Sequence, residues 1–208
     1  MELLATEITE SRGTREFLNT AEYACLEETC RIATFNLSEE KRSLSERVAR
    51  RCIEIGQLMG LSGSDLVRIE IAARVHRVGE LFVDEDLRGI CFLDMSGLEL
   101  QAYRHYPVFS ALRLSQHVSR EFYEILLNHR EYYTGAGFLN SLSGEEIPLS
   151  ARILCAATEY EELLMYKGGD AAKQDTIQRR MMKNTIGRYD PAVLEVLMQT
   201  VAGERVLH

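Results

Sequence analysis

The chain has 208 residues, 46% of them apolar and 27% charged, with a formal net charge of −8. That length and apolar content suit a single domain with a sizeable core. The acidic balance argues against a broad electrostatic grip on nucleic acid or on an anionic membrane, because phosphates are repelled on average.

No run approaches the ~18 consecutive apolar residues of a membrane-spanning helix. The opening MELLATEITESRG lacks the basic start and apolar run of a signal peptide. Five scattered cysteines (Cys25, Cys30, Cys52, Cys91, Cys155) form no C-x-x-C pair. They fit free, mostly buried thiols in a reducing cytoplasm better than disulfides or zinc ligands. A cytoplasmic location is the expectation.

Apolar residues recur at three- and four-residue intervals and no convincing alternating run occurs, so the chain reads as all-α. Residues 1–18 are weakly patterned and read as a lead-in, leaving 19–208 as one helical domain. A first helix is predicted at about Thr20–Phe35. A second covers about Glu40–Met59, capped by Ser38 and stopped at Gly60. A third, about Ser64–Val78, is apolar nearly all round and should be central. His76 and Arg77 fall in its last turn, before Gly79. Helices follow at about Gly97–His105, Pro107–Gln116 and Arg120–Arg130, with Pro107 suited to a first helical position. Residues 132–148 form the longest irregular stretch, and loops of that length are often functional. Helices at about Leu149–Tyr166, Asp170–Thr185 and Pro191–Ala202 complete a bundle of about seven to nine helices.

Several short motifs carry a family resemblance. HREYYTGAGFL, from His129, is followed at matching spacing by GEEIPLSARIL. RVHRVGELFVDEDL surrounds His76, SERVA begins at Ser45, YPVFSALRL at Tyr106 and GRYDPAVLEVL at Gly187. Together these resemble the HD-GYP domain of the HD phosphohydrolase superfamily, over about Thr20–Gly203. The resemblance implies an HD-type helical bundle and hydrolysis of cyclic di-GMP. It also implies two or three iron or manganese ions, held by histidines and aspartates, with a metal-bridged hydroxide attacking phosphorus.

Against that pattern, only His76 and His129 stand where metal ligands are expected. The first ligand histidine falls at Leu44. The HD pair reads His76–Arg77, and the lysine after the glycine is Glu80. Tyr106 replaces the histidine before the proline, and the neighbouring His105 would point about 100 degrees away on a helix. The HH pair reads His129–Arg130, the loop aspartate is Thr134, and the aspartate of the following helix is Thr158. The Gly-Tyr-Pro end is Gly137-Phe138-Leu139. Divalent cations in phosphohydrolases need carboxylates to offset their charge. A guanidinium stays protonated and cannot coordinate metal.

The expectation from these departures is a catalytically inactive, HD-GYP-like signalling or scaffold protein with no cofactor. It would act through a protein partner, such as a diguanylate cyclase or another cyclic di-GMP signalling protein, and a homo-oligomer is compatible with it. Arg77 and Arg130 would pair with Glu80, Glu131 or Glu159, form an anion pocket, or reach solvent. Two alternatives stay open: a cyclic di-GMP sensor with an arginine-lined pocket that binds without cleaving, and a metal-dependent phosphodiesterase with an altered ligand set.

Overall fold

The computed structural model describes residues 27–204 apart from 29, 117, 139, 168–170 and 184–185. The lead-in, Cys25, Leu139 and half of the first predicted helix lie outside the described residues. Among the described residues, eight α-helices have defined bounds: α1 (Glu39–Leu58), α2 (Gly63–Val75), α3 (Gly97–Tyr103), α4 (Tyr106–Leu114), α5 (Arg120–Asn128), α6 (Leu149–Lys167), α7 (Ala171–Lys183) and α8 (Pro191–Glu204). No strand occurs among the described residues.

The helix starts follow their side chains. Ser38, Ser62, Ser96 and Ser119 each accept a backbone N–H of the first turn of α1, α2, α3 and α5. Ser96 and Glu99 complete a reciprocal capping box. Asp190 accepts from the Ala192 N–H at 2.8 Å and so starts α8 just ahead of Pro191. Gly60 takes a positive φ of 75° directly after α1, as its predicted stop requires.

α1, α2 and α6 form the centre of the bundle. Leu44, Val48, Cys52 and Ile55 of α1 are fully buried against Val67, Ile69 and Ala72 of α2 and Ile153, Leu154 and Ala157 of α6. Leu44 has thus become core, and a side chain of its type gains roughly 1.5–3 kcal/mol from burial. A smaller cluster of Val83, Leu87, Phe92, Tyr103, Tyr106 and Phe138 covers the end of the bundle where the long loop folds back.

α2 is shorter than its apolar pattern predicts and ends at Val75. A 3-10 helix, Val78–Phe82, replaces its last turn. Close packing sets this change of path. Gly79 lies against α4 so tightly that an added Cβ would sit 1.9 Å from the Tyr106 carbonyl oxygen and 2.6 Å from the Ser110 nitrogen. The Ser110 hydroxyl accepts the Gly79 N–H at 2.8 Å and donates to the His76 carbonyl at 2.7 Å.

Gly79→Ala must therefore push two backbones apart. Its expected cost is at the upper end of the about 1–3 kcal/mol usual for overpacking. Urea unfolding monitored by circular dichroism measures it, and Gly89→Ala, with nothing near its added Cβ, is the control.

Candidate functional site

The same dipeptide ends two helices. His76 is the C-cap of α2 and His129 the C-cap of α5, and an arginine follows each. Each imidazole turns back onto its own helix, with Nδ1 2.6 Å from the Ala73 carbonyl in one case and 2.7 Å from the Leu126 carbonyl in the other. A carbonyl only accepts, so both Nδ1 atoms carry the proton and both Nε2 atoms offer a lone pair. The rings meet edge to face with centroids 5.4 Å apart.

The two lone pairs differ in their surroundings. The Tyr106 hydroxyl donates to His129 Nε2 at 2.8 Å and accepts from Arg130 Nε at 2.7 Å. His76 Nε2 is buried and has no hydrogen-bond partner. Burial, with help from the Arg77 charge, pushes the His76 pKa well below its ordinary value. Burial also lowers that of His129, reinforced by His76 and Arg130. Both rings are neutral in the fold.

The guanidiniums turn inward as well. Arg77 donates to Glu162 and lies 2.6 Å from Glu80. Arg130 donates to Glu162 at 2.8 Å, through the same Oε1 that Arg77 uses, and lies 3.8 Å from Glu159. The Arg77–Glu80 pair forms along the 3-10 turn, where residues three apart eclipse one another. Glu80 also accepts from Tyr103 and from Lys41, each at 2.6 Å. Glu159 accepts from Tyr189 and, at 3.1 Å, from Arg188.

A sequence of alternating charge results: Lys41, Glu80, Arg77, Glu162, Arg130, Glu159, Arg188. It enters from one partly exposed cation and leaves at another. Aromatic faces support it, with Arg130 4.6 Å from the Phe92 centroid and Arg188 4.6 Å from that of Tyr132. The two central carboxylates respond oppositely. Burial raises the pKa of Glu159, whereas at Glu162 the burial effect is outweighed by Arg130 and Arg77, which lower it.

Glu131 is not part of this network, which corrects the pairing expected of it. It follows the end of α5 and accepts the Asn140 backbone N–H at 2.6 Å, tying down the loop. Thr134 faces Gly187 at the loop's far side and donates to the Ile186 carbonyl. Thr158 is buried on α6, one turn before Glu162. Gly137 packs on the backbone of Arg130–Tyr132, and Phe138 fills the smaller apolar cluster. His105 is exposed at the start of α4. Glu162, Tyr103, Lys41, Arg188 and Tyr189 were not singled out from sequence. Glu162 was within reach of the reading, since it lies three residues after Glu159 and so on the same side of α6.

A protein-family model described as HD domain matches residues 18–193. The chain belongs to the HD-domain family. This HD domain is 28% identical over 186 residues to 3'3'-cGAMP-specific phosphodiesterase 2 of Vibrio cholerae, covering 84% of this chain and 35% of the relative. It is 24% identical over 154 residues to the cyclic di-GMP phosphodiesterase PdeB of Borreliella burgdorferi, covering 72% and 40%. The chain thus spans well under half the length of these two relatives. Among solved structures, the HDG"Y"P protein Bd1817 of Bdellovibrio bacteriovorus superposes with a TM-score of 0.69 at 15% identity, covering 88% of this chain and 65% of that one. The HD domain of the Listeria monocytogenes phosphodiesterase PgpH gives 0.57 at 14%, covering 86% and 99%. Those two likenesses confirm the fold.

The relatives correct two expectations. The reading of the chain as a non-enzyme is overturned, since relatives matched along most of its length are named as phosphodiesterases. The expectation of no cofactor falls with it, because the resemblance that ties this HD domain to those enzymes ties it to divalent metals.

Among the described residues, no three His, Cys, Asp or Glu side chains converge on a point that would hold a metal ion. One imidazole lone pair is capped by Tyr106, and both guanidiniums border the pair. In this arrangement the residues do not fit the family's metal centre.

Two outcomes are expected. Glu162→Gln leaves two buried guanidiniums short of one anion and should cost about 3–5 kcal/mol in chemical denaturation. Because both imidazoles are neutral in the fold and titrate normally when unfolded, the unfolded chain binds more protons below about pH 6.5. Stability should therefore fall as pH drops from 7 toward 5. The double variant His76→Gln/His129→Gln should show a flatter profile over the same range.

Proposed function

We propose that this HD domain acts on the phosphodiester linkage of a cyclic dinucleotide, in cyclic di-GMP signalling, with a ligand set altered from that of its relatives. The observation that carries the reading is the match along most of this chain to proteins named as cyclic dinucleotide phosphodiesterases. The site adds chemistry of the right kind. His76 keeps an unpartnered Nε2 lone pair aimed into the interior, the atom through which an imidazole takes part in proton transfer or ligation. Arg77 and Arg130 carry the charge and fork geometry that recognise phosphate oxygens.

Both guanidiniums are engaged by Glu162 in this structure, and His76, Arg77 and Arg130 are almost wholly inaccessible. A substrate phosphodiester would have to compete with Glu162 for them. That requirement makes slow turnover part of the proposal.

The test is incubation of the purified chain with cyclic di-GMP and, separately, 3'3'-cGAMP, each with manganese, with ferrous iron, and with no added metal. Products are resolved by chromatography. Linear dinucleotide should appear and should be lost in His76→Ala. Absence of product from both substrates under every metal condition overturns the proposal.

A further inference from the structure

One strongly charged surface plays no part in the site. α7 carries Lys173, Arg179, Arg180 and Lys183 against a single carboxylate, Asp175, in a chain whose net charge is −8. Ile177 and Met181 are its buried residues, and they fix which side faces the bundle. Lys173, Arg179, Arg180 and Lys183 are exposed; Arg179 and Lys183 lie away from the buried stripe, and Lys173 and Arg180 flank it. No carboxylate among the described residues pairs with Arg179, Arg180 or Lys183. Beside them stand two exposed apolar side chains, Met182 at 55% and Ile186 at 54% exposure.

A second surface has the opposite sign and the same composition otherwise. Asp84, Glu85 and Asp86 are consecutive, exposed and in no ion pair among the described residues. They follow Phe82, which is 58% exposed and leans on Phe109 with ring centroids 6.0 Å apart. Leu112, one helical turn beyond Phe109, is 55% exposed. Exposed apolar side chains standing singly need no explanation. Here they stand beside unpaired like charges on two surfaces, three cations on one and three anions on the other.

We propose that this chain self-associates head to tail, with α7 of one copy docking on the Phe82–Asp86 segment of a second copy. Charge complementarity selects the occupant: three unpaired cations meet three unpaired carboxylates, with Met182 and Ile186 against Phe82 and Leu112. Two different surfaces make the contact heterologous, so it leaves one free end of each kind and extends to rings or open chains. Attraction between exposed charges is screened within about 10 Å at 0.1 M salt. The association is therefore weak and favoured at low ionic strength.

Sedimentation velocity over a concentration series at low and high salt tests this. The wild-type chain should grow beyond the monomer at low salt and dissociate at high salt. Reversal of the basic face (Arg179→Glu, Arg180→Glu, Lys183→Glu) should weaken association by at least about tenfold, as should reversal of the acidic one (Asp84→Lys, Glu85→Lys, Asp86→Lys). All six positions are exposed, and far-UV circular dichroism confirms that each variant is folded.

Mixing the two variants gives the sharper result. Each variant then carries two surfaces of one sign and cannot assemble alone, whereas in the mixture acidic and basic surfaces meet at every contact, so alternating assembly should return at low salt. Joining all six substitutions in one chain should restore extended assembly. A wild-type chain that stays monomeric at low salt overturns the proposal. So does assembly that either reversal leaves intact, or a mixture of the two variants that associates no more than each does alone.

Discussion

One oxygen atom holds the interior of this domain together. Oε1 of Glu162 accepts from both Arg77 and Arg130, which arrive from the ends of two different helices. Without that carboxylate, two guanidiniums would face each other beside two imidazoles in a space closed to water. Charges so placed cost several kcal/mol each unless a counter-charge and hydrogen bonds compensate them. Glu162 supplies both, and its lowered pKa reflects the field of the two cations.

The neighbouring elements follow from this requirement. The Val78–Phe82 turn departs from α2 and so brings Glu80 to the second side of Arg77. Tyr106, at the start of α4, fills the gap between His129 and Arg130 and satisfies both. The segment after α7 brings Arg188 and Tyr189 to Glu159. Each of these side chains belongs to a different stretch of the chain, so the network depends on the whole bundle being closed. A loss at one point is felt at the others, since partners in one network couple strongly.

The network also sets the terms for chemistry. Relatives named as phosphodiesterases place this chain beside enzymes, yet its charges in the corresponding region neutralise one another internally. On the function proposed above, a phosphodiester would have to offer the guanidiniums more than Glu162 does before it binds. Transition-state charge is greater than ground-state charge, and an interaction that strengthens along the reaction is the kind that accelerates it. The same arrangement that lowers affinity for the ground state is compatible with selectivity for the reacting state. Fold and chemistry are separable here, because the HD bundle persists around a changed set of side chains.

Much of the architecture could be read from the sequence for local reasons. Helix periodicity, the serine caps, the stop at Gly60 and the long loop all depend on residues near one another in the chain. The motifs around His76 and His129 singled out the two histidine–arginine pairs that the structure places side by side in the interior. The failures are equally physical. Periodicity could not show that α2 breaks off at Val75, because the cause is contact between Gly79 and the backbone of α4. Nor could it choose Glu162 over Glu131 as the partner of the arginines. Both are glutamates close to plausible positions, and only the packing of α6 against α2 and α5 brings one of them within hydrogen-bonding reach. The sequence by itself determined the helices and marked the two histidine–arginine pairs, because both depend on neighbouring residues. The tertiary structure decided how the buried charges pair, because the partners are up to 85 residues apart and meet only when the bundle closes.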